Sequence, residues 1–260
     1  MKKKLIFLSL LITAFGNLYA QNCQPDKTRR SRITDDELPN RYTCMIDMKR
    51  GYFHYYGTGF LIHPQVILTA GHNLAYYPLV KAPPFILLRG TRKVSLYFGS
   101  TEKGKAAAVV MDMPLETNHT KFYKSGYWLG SKLENDFSII ILPDSSVYKK
   151  LGGCYQIDPA MLTDGGHPPL HITGSPGDQP LFQMWAEQTN NYQASGSSLN
   201  YDLYTAVRNS GSPVWVTKEG KYTAVGVHSR GGNPCNMAVW ITPAVYQQLK
   251  DWCASVNINL

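Results

Sequence analysis

The sequence predicts an all-β protein in two units of similar size, closed by one carboxy-terminal helix. Two observations carry this. Short β-type runs recur between Gly, Pro, Asn and Asp along most of the chain, in the spacing of sandwiches and barrels, and a helical repeat of apolar positions occurs only at the end.

The runs, in order, are YTCMIDM, GFLI, VILTA, VSLYF, FSIIIL, LHIT, PVWV, AVGV and AVWI. Each is rich in β-branched or aromatic residues and bounded by turn formers, so each is expected as a strand. In PAVYQQLKDWCASV, Pro243 suits a first helical turn, and Val245, Leu249 and Trp252 fall on one face. The segment PDSSVYKKLGG, Pro143 to Gly153, is polar, turn-rich and follows a strongly apolar strand. It is expected as the connector between two β units of roughly 110 residues each.

The chain has 260 residues, and its first twenty read as an export signal: MKKK, the apolar run Leu5 to Phe15, then Leu18, Tyr19 and Ala20. The apolar run is shorter than the about 20 residues that a membrane span needs. The expected organisation is a signal peptide over 1–20, an amino-terminal segment or short propeptide over 21–34, a first β unit over 35–145, and a second with the helix over 146–260. Removal of the signal takes Lys2, Lys3 and Lys4 with it and lowers the formal charge from +8 to +5. That mild excess is scattered and no nucleic-acid motif accompanies it, so nucleic acid is not an expected partner. A secreted or periplasmic location follows from the signal, with no integral membrane segment left after its removal. There the five cysteines, at 23, 44, 154, 235 and 253, can form disulfides. None of their spacings is a zinc-ligand pair, and connectivity is open.

Three segments could carry chemistry. Serine is a weak nucleophile until a base takes its proton, and the base needs a group to orient it. His72 follows the strand-like VILTA and would be held rigidly at its end. Asp136 opens FSIIIL at the edge of a core, where an unpaired carboxylate is costly and a histidine N–H would pair it. Ser210 lies in VRNSGSPVW, where a tight turn ahead of a strand exposes a hydroxyl and aims backbone N–H groups into one concavity. The order His, Asp, Ser fits one known chain order of this triad, and an esterase-type GxSxG elbow fails because Arg208 and Ser212 occupy its glycine positions.

TAGH, NDFSIII, TGSPGDQP (Thr173 to Pro180), Met184-Trp185, YDLYTAVRNSGSPV (Tyr201 to Val214) and GVH ending at His228 resemble the corresponding segments of chymotrypsin-like serine proteases, especially the bacterial glutamyl endopeptidase family. Ile33, Thr34 and Asp35 resemble the amino-terminal segment of that family. The resemblance implies two antiparallel six-stranded β-barrels with a carboxy-terminal helix and the site in the cleft between them. It implies a serine endopeptidase with His72 as general base, Asp136 as its orienting partner and Ser210 as nucleophile, and an oxyanion hole of the Arg208 and Ser210 N–H groups. Thr205 and His228 would bind the substrate carboxylate, giving cleavage after Glu and less well after Asp. The partners would be protein or peptide substrates with acidic residues, and the protein itself is expected to be a monomer. No metal or organic cofactor is needed for acyl transfer by this route.

Two departures from the family pattern matter. Ala206, Val207 and Arg208 replace TGG, and the side chain at 208 stands where glycine would turn its N–H toward the oxyanion freely. The alternative function is therefore a catalytically impaired, protease-like binding protein with a collapsed oxyanion hole. HSRGG also carries one residue more than the usual HxGG. The mature amino terminus falls near Gln21 to Cys23 by the match at Ile33, or within KTRRSR (Lys27 to Arg32) if that basic stretch is processed. By analogy with chymotrypsin, Cys23 would be tethered to Cys154.

Overall fold

The computed structural model describes residues 23–33, 37–50, 52–74, 93–99, 109–114, 122–124, 133–163 and 166–260. The expected signal peptide, Gln21, Thr34 and Asp35 lie outside the described residues.

The strands are β1 Ser31–Arg32, β2 Thr43–Arg50, β3 Phe53–His63, β4 Val66–Thr69, β5 Lys93–Phe98, β6 Val109–Pro114, β7 Phe122–Lys124, β8 Ser138–Ile141, β9 Gln156–Ile157, β10 Leu170–Gly174, β11 Trp185–Thr189, β12 Tyr192–Ser195, β13 Ser198–Tyr201, β14 Pro213–Lys218, β15 Lys221–Arg230 and β16 Asn236–Trp240. Among the described residues they form two sheets. One has seven strands in the order β6-β5-β2-β3-β4-β8-β7, and the other nine, in the order β1-β11-β10-β14-β15-β16-β13-β12 with β9 beside β15. The two antiparallel sheets match the expected class. Their strand counts exceed six each partly through short pieces: β1 and β9 have two residues and β7 three. The β9–β15 pairing is parallel.

All nine runs read from the sequence lie in strands. β4 and β8 are buried along their whole length, which suits two unbroken apolar runs paired in the middle of a sheet. Each Ile or Leu buried there contributes on the order of 1.5–3 kcal/mol.

Among the described residues three α-helices accompany the sheets: α1 Gly71–Leu74, α2 Ser146–Leu151 and α3 Pro243–Ala254. Helix α2 lies within the expected connector Pro143–Gly153, between β8 of the first sheet and β9 of the second. Val147 and Leu151, four residues apart, are both buried, so the segment folds as an amphipathic turn pair on the core. Helix α3 starts as expected, with Pro243 in its first turn and the Thr242 hydroxyl accepting from the Val245 N–H. Its buried residues are Val245, Leu249 and Cys253, while Trp252 is partly buried and packs in a tilted arrangement against Phe137, ring centres 5.3 Å apart.

The largest core cluster joins the first sheet to Tyr155, Trp215, Val227, Val239 and helix α3. A second fills the other sheet through Leu170, Leu199, Tyr201, Val214 and Val225. Ile33, Met45 and Met184 form a third, which attaches the amino-terminal segment. Cys23 is bonded to Cys235 and not to Cys154, which is a free thiol like Cys44 and Cys253. No helix among the described residues is long and apolar enough to cross a membrane.

Candidate active site

Strand pairing brings the first two candidate residues together. β4 and β8 are antiparallel with Thr69 opposite Ser138. His72 lies three residues past the end of β4 and Asp136 two before the start of β8, so both sit at the same end of the pair. The helical turn α1 carries His72, and the Asp136 N–H is fixed by the Leu133 carbonyl at 2.9 Å. The result is a tight pair: His72 Nδ1 is 2.8 Å from Asp136 Oδ2 and 3.1 Å from Oδ1, and the His72 main-chain N–H donates to Oδ1 at 2.8 Å. The Ser229 hydroxyl also donates to Oδ2. Asp136 is 2% exposed. Burial is the strongest influence and would raise its pKa, but the His72 side chain, the Ser229 hydroxyl and the His72 N–H together outweigh it and hold the carboxyl below its ordinary range.

Ser210 is delivered from the other sheet. The Gly211 N–H donates to the His228 carbonyl at 2.7 Å and the His228 N–H to the Ser212 carbonyl at 2.9 Å, so the turn runs beside β15. The Ser210 carbonyl accepts from the Thr58 N–H at 2.9 Å and from Asn73 Nδ2 at 2.8 Å, both in the first sheet's half. Gly211 has φ 88°, and a Cβ there would lie 2.0 Å from the Thr58 carbonyl oxygen. The sheets therefore close on Ser210 through backbone that only glycine permits. His72, Asp136, Ser210, Thr205 and His228 all line one cleft of about 470 Å³, with Arg230 at its rim.

Arg208 answers the question its position raises. It takes φ 74°, the left-handed region that a glycine would enter freely. Its guanidinium donates from Nη2 to the carbonyls of Pro176 and Gln179, and its own carbonyl accepts from the Thr58 hydroxyl at 2.8 Å. The Gly177 N–H donates to the Val207 carbonyl at 2.6 Å. A trans peptide points its N–H opposite to its C=O, so pinning the Val207 carbonyl against Gly177 turns the Arg208 N–H the other way. A Cβ on Gly177 would stand 2.8 Å from the Val207 oxygen, so this approach needs glycine. Among the described residues, the N–H groups of Arg208 and Ser210 have no protein acceptor.

His228 is fully buried, with Nδ1 2.6 Å from the Tyr201 hydroxyl. Burial, reinforced by nearby His72, pushes its pKa down to about 3. Thr205 is half-buried.

Ser229 and Gly177 escaped the sequence reading. The extra residue of HSRGG is a bulge between His228 and Arg230, where the β15–β16 register shifts, and the bulge aims Ser229 at Asp136. Only that surplus residue and the glycine of TGSPGDQP hinted at either role.

No family model matches the chain. It is 38% identical over 91 residues to a glutamyl endopeptidase of Staphylococcus epidermidis, which covers 35% of the chain and 31% of that protein. The chain thus spans about a third of the length of this relative. A protein of Bacillus subtilis named extracellular metalloprotease is 27% identical over 238 residues, covering 87% of the chain and 67% of the relative. Among solved structures, a Glu endopeptidase in complex with MPD superposes with a TM-score of 0.69 at 22% identity, covering 89% of this chain and 99% of the other. Two curled antiparallel sheets and the terminal helix are thus a fold this chain shares with solved serine proteases, and over 91 residues its sequence is similar to that of a glutamyl endopeptidase.

Proposed function

We propose that the protein is a secreted serine endopeptidase that cleaves peptide bonds after glutamate, and less readily after aspartate. One observation carries the reading: His72, paired with the buried Asp136 carboxylate, and the half-buried Ser210 hydroxyl line the same cleft, although His72 and Ser210 are 138 positions apart in the chain.

Ser210 attacks the scissile carbonyl while His72 takes its proton. Asp136, bonded to Nδ1, keeps the other ring nitrogen free to act as the base and stabilises the imidazolium that forms. The N–H groups of Arg208 and Ser210 receive the oxyanion. The orientation of the 207–208 peptide, fixed by Gly177, supports an open hole over a collapsed one.

Substrate choice falls to Thr205 and His228. With the buried Tyr201 hydroxyl donating to Nδ1 of His228, the proton of the neutral ring is on Nε2. Neutral His228 then donates from Nε2, beside the Thr205 hydroxyl, to a substrate carboxylate.

The name of the Bacillus subtilis relative suggests a metal-dependent hydrolase instead. No group of three or more His, Cys, Asp or Glu placed to hold a metal occurs among the described residues. Incubation with EDTA is expected to leave hydrolysis unchanged. A serine-directed fluorophosphonate is expected to label Ser210, and a peptide library to be cut after Glu in a manner lost in Ser210→Ala. Absence of labelling in folded protein would sink the peptidase reading. Cleavage after Lys or aromatic residues would sink the specificity alone.

A further inference from the structure

The basic stretch KTRRSR looks in sequence like a place for processing, yet the fold builds it into the second sheet. The Asp26 carboxylate caps the turn Lys27–Arg29 through the Thr28 N–H at 2.8 Å. Arg29 pairs with Glu187 at 2.8 Å and Asp202 at 3.1 Å. β1 is paired with Ala186 and Trp185, the Ile33 N–H donates to the Met184 carbonyl at 3.0 Å, and Cys23 is bonded to Cys235.

Arg30 is the member of this strap that points at the catalytic apparatus. Its side chain is 5% exposed and grips Asp178 with both ends of the guanidinium, at 3.0 and 2.9 Å. The same guanidinium lies 4.4 Å from the centre of the Tyr204 ring, next to Thr205. Asp178 sits in the loop Pro176–Gln179, whose Gly177 N–H holds the Val207 carbonyl and whose Pro176 and Gln179 carbonyls hold the Arg208 guanidinium. The loop is thus fastened to the oxyanion peptide on one side and to the amino-terminal strap on the other.

We propose that Arg30 is a positioning residue for the oxyanion hole, acting through Asp178 and the Pro176–Gln179 loop, and that residues 23–33 are accordingly retained in the working enzyme. This rests on the serine peptidase reading for its catalytic consequence, and on geometry alone for its structural one. A bidentate arginine fixes a carboxylate in direction as well as distance, which a lysine ammonium does not. An oxyanion donor works in the transition state, so its loss lowers turnover and leaves substrate binding nearly untouched.

The test compares wild type with Arg30→Ala, Arg30→Lys, Asp178→Asn and the Arg30→Ala/Asp178→Asn double variant. Arg30→Ala is expected to lower kcat and the rate of fluorophosphonate labelling about tenfold or more, with KM changed less than about threefold. Arg30→Lys should recover only part of the loss, and the double variant should be little worse than either single one, because both break the same link. Hydrogen exchange at the Gly177 amide provides a readout independent of catalysis: it should accelerate in Arg30→Ala while the amides of β4 and β8 keep their protection. Unchanged exchange at Gly177 overturns the proposal whether or not the protein hydrolyses peptides. So does an equal loss of protection throughout, which would make Arg30 a general stability residue, or an active secreted form whose sequenced amino terminus begins after Arg32. A wild type inert to the fluorophosphonate would instead remove the peptidase reading and leave the exchange result to judge Arg30.

Discussion

His72 meets the Asp136 carboxylate twice, once through its ring Nδ1 and once through its own main-chain N–H, each at 2.8 Å. The two contacts reach different oxygens, so they fix the carboxylate in rotation and the imidazole against it.

Replacing Asp136 by Asn keeps the shape and reverses the hydrogen-bond preference at Nδ1. It is expected to lower kcat by about 10³–10⁴ with little change in KM. The Asp136 pKa is depressed in the folded state. Its contribution to stability is therefore fully present above the unfolded value of 3.8 and is lost as pH falls through the lower folded value. Urea midpoints of wild type and variant should differ at pH 7 and draw together only as pH falls below 3.8 and through the lower folded value. A turnover loss under tenfold would refute the assigned role.

Arg208 offsets a left-handed backbone with a side-chain anchor, and two substitutions separate these terms. Arg208→Gly removes the conformational cost of about 1–2 kcal/mol together with the anchor. Arg208→Ala keeps the cost and loses the anchor. Fluorophosphonate labelling is expected to fall in the order wild type, Gly, Ala, with Ala at least about tenfold below wild type. Ala labelling as fast as Gly would mean that the backbone at 208 carries no strain that matters.

His228 makes stability depend on mild acid. Its folded pKa, about 3, lies below the ordinary 6.5, so the unfolded chain takes up a proton that the folded one refuses between those values. Stability should then fall as pH drops below about 6.5, with a slope approaching about 1.4 kcal/mol per unit from this residue. His63 and His171, also lowered by burial, act with the same sign. Chemical denaturation of His228→Gln between pH 7 and pH 4.5 should give a flatter profile than wild type; parallel profiles would remove His228 as the source.

The residues also show where sequence was readable. β4 and β8 could be found because unbroken apolar runs between turn residues have few other solutions. β11, β12 and β13 were missed because Glu187, Gln193, Ser195 and Asn200 dilute the alternation on strands that are only half covered. The triad candidates each sit in a local motif, so chain order alone could gather them. Ser229, Gly177 and Arg30 could not be read, since a bulge, a close backbone approach and a contact spanning 148 residues are properties of the assembled sheets. The Cys23–Cys235 bond, separated by 212 residues, belongs with them.

Gly211 gives the sharpest test of how the two sheets hold Ser210. An alanine there would place its Cβ 2.0 Å from the Thr58 oxygen, 2.3 Å from Thr69 Oγ1 and 2.9 Å from the Ala70 nitrogen, at a φ of 88°. Two of these three neighbours are backbone atoms and cannot swing aside. The Thr58 N–H and Asn73 side chain that hold the Ser210 carbonyl must move with them. Gly211→Ala is therefore expected to destabilise the protein by about 3 kcal/mol or more, combining overpacking with backbone strain. In whatever fraction remains folded, labelling at Ser210 should be lost, because relief of the clash separates the serine turn from the half of the molecule that carries His72. A variant with the wild-type urea midpoint and labelling rate would show that the closure at Thr58 is not what positions the nucleophile.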